Sequence, residues 1–320
     1  TVSIILRSMK SIRVLITDKC NASCSNCINK AIRTESCFID FLRFKAIAQY
    51  FSENNVSRIR IMGGEPTIHP EFREIVSYSQ TLFSRVTVFT NGLNNSILDF
   101  LPRESDSINY NSRFVHIIPK EHLLLDKPGS RILSIVISCQ LNEHEMTSTI
   151  SRINEQIQNL KVSLTLDCTV NIFKYRLNLL DKFNIIYDFC ISHQIEVIVD
   201  HGLPICFLYN SQIPSSKDFS KCSENCAGLI DANCNLRFCN QISSESFSLF
   251  EGDRIKPFKL INNWLQLAFY QKQTMVLRKI CVECPFYGDL CNGGCYMHRE
   301  LISREDVLQH TELPVYLKHI

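Results

Sequence analysis

The feature that most constrains the fold of this chain is a rhythm. From Ser11 to Asp200, short runs rich in β-branched residues alternate with longer stretches of helical periodicity. The strand-like runs are Ser11–Asp18, Arg58–Met62, Arg85–Thr90, Ile132–Ser138, Val162–Val170 and Ile195–Asp200. Helical patterns fill the gaps at about Asp40–Asn54, Pro70–Phe83, Asn142–Leu160 and Lys174–Gln194. Such alternation specifies an α/β protein with a largely parallel sheet. Six units of this kind predict a partial (β/α)6 TIM-type barrel, in which ligands gather at the carboxyl ends of the strands. The polar stretch Pro102–Ser130 interrupts the rhythm and reads as an insertion.

Two of those strand ends carry unusual residues. Directly after the first strand come Cys20, Cys24 and Cys27, in the run CNASCSNC. Three thiolates on one short loop can hold three corners of an iron–sulfur cube and leave its fourth iron open, whereas a fourth cysteine would close the site for electron transfer. The second strand runs into Gly63, Gly64, Glu65 and Pro66. Two glycines in succession let a backbone approach a ligand or another chain segment closely.

A C-x3-C-x2-C triplet followed one strand–helix unit later by GGEP resembles the signature of the radical S-adenosylmethionine (SAM) enzymes. The resemblance implies a 4Fe-4S cluster on Cys20, Cys24 and Cys27 whose open iron chelates the amino and carboxylate groups of SAM. It also implies that Gly63, Gly64, Glu65 and Pro66 lie against the methionine part of SAM. Thr90-Asn91-Gly92, at the end of the third strand, is a further element that family members often share. The residue before the third cysteine is commonly aromatic in the family and packs near the adenine; here it is Asn26. By position, Ser138 and Asn171 fall where the family places ribose and carboxylate contacts, although polar residues also cap strand ends for structural reasons alone.

Composition narrows the partners. A formal net charge of +2, with Lys and Arg scattered among acidic residues, gives no case for nucleic-acid binding. No apolar run reaches the length of a membrane span, and the opening residues lack a secretory apolar core, so a cytoplasmic location is expected. In a reducing compartment, sixteen cysteines in clusters read as metal ligands rather than disulfides. Cys37, Cys139, Cys168, Cys190 and Cys206 stand mostly apart, and those in apolar runs read as small buried hydrophobes.

From Phe207 the rhythm stops, and the polar loop Tyr209–Lys221 marks an expected boundary between a core barrel (1–206) and a small cysteine-rich extension (207–320). Cys222 and Cys226 precede a β-hairpin that places Ala232, Asn233 and Cys234 at its turn, and Cys239 follows it. After a helix expected over Asn262–Lys279 come Cys281, Cys284, Cys291 and Cys295. This resembles the SPASM extension of radical SAM enzymes, which holds auxiliary 4Fe-4S clusters. The resemblance implies one cluster on Cys222, Cys226, Cys239 and Cys295 and a second on Cys281, Cys284 and Cys291. The sequence has no cysteine after Cys295, so either the second cluster is absent, or its fourth iron takes another ligand such as His298 or Asp289, or that iron is open to substrate. On the residues alone, the paired cysteines also fit a tetrahedral zinc site, the lesser of the two readings.

SPASM-bearing enzymes mostly modify peptides, so the resemblance implies hydrogen abstraction from a peptide substrate during maturation of a ribosomal peptide natural product, with a cross-link, thioether or epimerisation as outcome. An electron donor such as flavodoxin or ferredoxin is implied as partner. Because Cys20 lies close to the start of the sequence, a separate recognition protein or direct leader binding by the barrel is expected for the peptide. A radical SAM dehydrogenase or epimerase of a small molecule is the alternative enzyme. A zinc-binding interaction protein with a degenerate barrel is the alternative from another class. Cys234, which the hairpin pattern does not require, reads as a substitute ligand, as a thiol that returns a hydrogen atom to a substrate radical, or as a bystander.

Overall fold

The computed structural model describes residues 9–24, 27, 29, 37–123, 127–157, 160–167, 170–199, 207, 229–237 and 246–274. The architecture is mixed α/β with a parallel sheet, as expected of a partial TIM-type barrel. The described residues fall into two units. Among the described residues, the first takes in those up to 133, 156–157 and 229–269, and the second 134–155, 160–207 and 270–274.

In the first unit, strands β1 (Ser11–Leu15), β2 (Arg58–Met62) and β3 (Arg85–Thr90) lie parallel and in sequence order, with Val14 opposite Ile61 and Ile61 opposite Val88. Helix α1 (Phe41–Glu53) connects the first pair and starts at Asp40, whose carboxylate accepts from Arg43 N–H at 2.9 Å as an N-cap. Its buried residues Phe44, Ile47, Ala48 and Phe51 repeat at three and four positions, the spacing of a helix with one face in a core. Helix α2 (Phe72–Leu82) does the same with Phe72, Ile75, Val76 and Ser79.

The polar stretch Pro102–Ser130 is not a plain insertion. It contains β4 (Ser107–Asn111), which pairs parallel with β3, and Ser107 through Tyr110 are buried. Its polar side chains find partners inside: the hydroxyls of Thr87 and Ser107 bond at 2.8 Å, and Tyr110 Oη donates to His122 O at 2.6 Å. The following segment closes around Arg131, which is 2% exposed and donates to the carbonyls of Leu123, Lys127, Pro128 and Gly129. Strand β5 (Ser130–Ile137) begins in the first unit and ends in the second. The second unit then adds α3 (Glu143–Asn154), β6 (Leu160–Leu166), α4 (Arg176–Ser192) and β7 (Glu196–Val199), with β6 and β7 parallel.

The hairpin expected in the cysteine-rich extension forms from β8 (Leu229–Ile230) and β9 (Asn235–Arg237). It joins the first unit's sheet: β8 runs parallel to β1, with Arg13 opposite Leu229 and Val14 opposite Ile230. Strand β10 (Ser246–Ser248) pairs antiparallel with β9. A two-stranded ribbon of β11 (Phe250–Glu251) and β12 (Arg254–Ile255) and helix α5 (Phe258–Thr274) follow. No described helix is long and apolar enough to cross a membrane.

Candidate active site

The loop with the three cysteines leaves the end of β1 and returns beside it. At its neck Thr17 bridges Phe38, Thr17 Oγ1 and Asp18 N–H both donate to Cys37 O (2.8 and 3.1 Å), and Ile39 N–H donates to Ile16 O at 2.8 Å. Phe38 is held between Lys19, whose ammonium lies 4.4 Å from the ring centre, and an edge contact with His69. Cys20, Cys24 and Cys27 are half-buried on this loop and form no disulfide, and Ala22 N–H points to Cys20 Sγ at 3.4 Å. Thiols of this accessibility are the donor type that iron–sulfur clusters take, so the residues present fit such a group. Among the described residues no three His, Cys, Asp or Glu side chains converge on one point. The thiols share a loop without forming a preassembled trio.

The glycines of GGEP serve that loop. A Cβ on Gly63 would lie 2.6 Å from Thr17 O, and one on Gly64 would lie 2.1 Å from Lys19 O. Only bare backbone fits there, and the gap is closed by Gly64 N–H donating to Thr17 O and Glu65 N–H to Lys19 O, both at 2.8 Å. Neither glycine has a positive φ, so close approach accounts for them rather than backbone freedom. Asn29, two residues past Cys27, adds a bond from Nδ2 to Gly63 O at 2.8 Å.

Glu65 ties the ends of β2 and β3 together. Its Oε1 accepts from Thr67 N–H, Thr67 Oγ1 and Thr90 Oγ1 (3.2, 2.6 and 2.7 Å), and its Oε2 from Asn91 N–H at 2.7 Å. Burial at 1% exposure pushes the Glu65 carboxyl above the ordinary carboxylate range, against the pull of these four donors. Pro66 starts the short 3-10 turn Pro66–Ile68 that Glu65 caps. Asn91 continues the chain of contacts, its Nδ2 donating to Asn21 Oδ1 at 2.7 Å. Gly92, with φ 75°, turns the backbone and accepts at its carbonyl from His122 Nδ1 at 2.8 Å.

Asn21, Asn29 and Asn91 were not predictable as site residues from their types; only the Thr-Asn-Gly run gave a signal, and it did not indicate a contact to the cysteine loop. Ser138 and Asn171 lie in the second unit. Ser138 is buried and its carbonyl accepts from Leu141 N–H, while Asn171 Oδ1 accepts from the N–H groups of Phe173 and Lys174 in the turn before α4. Cys234 sits at the hairpin turn with φ 63°, 2% exposed, and burial pushes its thiol up to about 12. Nearby, the Cys37 thiol lies 3.6 Å from both Asp18 Oδ2 and Asn233 Oδ1, which links the loop neck to that turn. Cys222, Cys226, Cys239, Cys281, Cys284, Cys291 and Cys295, with Asp289, His298 and Asn26, lie outside the described residues.

Residues 14–111 match the radical SAM superfamily. The chain is 22% identical over 174 residues to GTP 3',8-cyclase of Vibrio parahaemolyticus, covering 47% of this chain and 52% of that protein. It is 32% identical over 77 residues to the antilisterial bacteriocin subtilosin biosynthesis protein AlbA of Bacillus subtilis, covering 24% of this chain and 17% of AlbA. The chain thus spans about half, or less, of the length of these curated relatives. Among solved structures it resembles Streptococcus suis SuiB bound to its precursor peptide SuiA, with a TM-score of 0.67 and 14% identity, over 90% of this chain and 72% of SuiB. At that identity the likeness is one of fold.

Proposed function

From the radical SAM domain that the chain carries over residues 14–111, we infer an enzyme that cleaves SAM reductively and abstracts hydrogen from a peptide during maturation of a ribosomal peptide natural product. The observation that carries the reading is the three-thiol loop at the end of β1, seated directly on the bare backbone of Gly63 and Gly64. Cys20, Cys24 and Cys27 would hold the SAM-binding 4Fe-4S cluster. When bound, that cluster and SAM would supply an electron and a cleavable carbon–sulfur bond, and with them the radical chemistry by which hydrogen could be taken from a substrate. The chain's own part is to fix the loop. Gly63 and Gly64 receive it, Glu65 locks the ends of β2 and β3 beneath it, and Thr90 and Asn91 complete the lock.

The cysteines from Cys222 to Cys295 are proposed as auxiliary-cluster ligands of a SPASM-like extension, and Ser138 and Asn171 as SAM contacts. A peptide as substrate is supported by the fold shared with SuiB, which binds its precursor peptide, and by the local similarity to AlbA. Similarity to GTP 3',8-cyclase supports a second reading, in which the same radical acts on a small molecule. Anaerobically reconstituted protein, given dithionite and SAM, is expected to release 5′-deoxyadenosine, and the variant with Cys20, Cys24 and Cys27 all changed to Ala to release none. Undiminished cleavage by that variant would remove the assignment. A deuterated peptide encoded by a gene beside this one should pass deuterium into 5′-deoxyadenosine; transfer from labelled GTP instead selects the small-molecule reading.

A further inference from the structure

The cysteine loop meets the strand ends through backbone at Thr17 and Lys19 and through the side chains of Asn21 and Asn29. Asn21 directly follows Cys20. It is solvent-exposed, so no packing requirement sets its orientation. Its partner is different: Asn91 is 5% exposed and held on three sides. The Asn91 backbone N–H is taken by Glu65 Oε2, its Oδ1 accepts from Leu93 N–H at 3.0 Å, and its Nδ2 is thereby directed at Asn21 Oδ1, 2.7 Å away. The amide orientation follows from this network, because Leu93 offers a donor and requires the oxygen on that side.

We propose that Asn91 is a positioning residue for the three-thiol loop: oriented by Glu65 and Leu93, its amide anchors Asn21 and so fixes the backbone that presents Cys20. The geometry is that of a buried, preset donor reaching the cysteine loop across seventy residues of sequence. The purpose assigned to it rests on the radical SAM reading. An iron–sulfur cluster with only three thiolates depends on its loop to keep them gathered, and the loop here has no trio assembled in advance.

The test uses the full chain in two forms. With iron removed, alkylation of Cys20 by iodoacetamide is followed by peptide mass spectrometry. Asn21→Ala and Asn91→Ala are each expected to speed alkylation roughly threefold to tenfold, the effect of one lost hydrogen bond on an opening equilibrium. The double variant should be no faster than Asn91→Ala alone, because Asn21→Ala removes only a bond that Asn91→Ala has already removed along with that to Leu93. Asn91→Asp should restore the slow rate, since Leu93 keeps its acceptor and the Asn21 amide can rotate to donate. Asn21→Ala, at an exposed position, keeps the test valid should Asn91→Ala fold poorly. In the reconstituted chain, the SAM-induced change in the EPR signal of the reduced cluster should weaken in both Ala variants and return in Asn91→Asp. Alkylation within about twofold of the parent in both single variants, or single effects that multiply in the double variant, overturns the proposal. No SAM-induced EPR change in the parent overturns the radical SAM reading instead, and alkylation alone then decides the positioning role.

Discussion

At the scale of single residues, the two glycines and Glu65 have unequal tolerances that can be ordered in advance. Gly64→Ala would press a methyl to 2.1 Å from Lys19 O, and Gly63→Ala to 2.6 Å from Thr17 O; both neighbours are backbone and cannot swing aside. Both variants should lose SAM cleavage, and Gly64→Ala should show the larger fall in unfolding midpoint; the reverse order would mean that the loop seat is misassigned. Glu65→Ala deprives two backbone N–H groups and two hydroxyls of their acceptor and should cost roughly 3 kcal/mol. Glu65→Gln should cost less, about 1 kcal/mol, because the threonine hydroxyls can reverse and accept while the amide oxygen faces Asn91, which leaves only the Thr67 N–H without its acceptor. Burial raises the Glu65 carboxyl, so its contribution is full below the ordinary value of 4.5 and is lost as pH rises through the folded value. Urea titrations at pH 4.5 and 7.5 should therefore show a smaller fall in stability for Glu65→Gln than for the parent; equal falls would refute this. Cysteine spacing and GGEP were legible because the reactive or bare residue types announce themselves locally. Asn21 and Asn91 were not, since an asparagine has no fixed role and its partner lies seventy residues away.

At the scale of elements, the strands with β-branched residues were legible and β4 was not. Ser107-Ile108-Asn109-Tyr110-Asn111 offers only two apolar residues, Ile108 and Tyr110, inside a long polar stretch, and its polar Ser107 is buried with Thr87 as partner. The β8–β9 hairpin was legible from its turn residues, but its attachment was not, because parallel pairing with β1 joins segments more than two hundred residues apart. Asp231 organises that hairpin. Its Oδ1 accepts from the N–H groups of Asn233 and Asn235, and its Oδ2 from Arg237 Nε at 2.6 Å, with both charged residues buried. Removing one partner of a buried ion pair is far more costly than removing an exposed one. Asp231→Ala should cost about 3 kcal/mol, and Asp231→Asn, which keeps the turn acceptor but loses the charge, somewhat less. Trp264, the sole tryptophan, lies with its ring centre 6.0 Å from that of Phe247 on β10, so its fluorescence reports on this part of the sheet during urea unfolding. A loss under 1 kcal/mol for Asp231→Ala would show that the hairpin is held by its strand pairing alone.

At the scale of the whole molecule, the hairpin's position bears on what the cysteine-rich extension is for. Cys222 and Cys226 precede in sequence a hairpin whose first strand is part of the same sheet as β1, the strand that delivers Cys20. A segment joined in this way to the first strand is poorly suited to being an independent zinc module, which would close a tetrahedral site within its own fold. The proposed auxiliary iron–sulfur clusters are the other reading of these cysteines. Iron content separates the two. Three 4Fe-4S clusters correspond to about twelve irons per chain and two to about eight. Reconstituted protein is expected to approach twelve, and the variant with Cys20, Cys24 and Cys27 changed to Ala to approach eight while retaining the absorbance of its remaining clusters. About four irons in the parent, with zinc bound stoichiometrically, would restore the zinc reading for the extension. Because the SAM loop would then hold the only cluster, the same result would leave cleavage by the parent intact, and so would divide the two halves of the assignment cleanly.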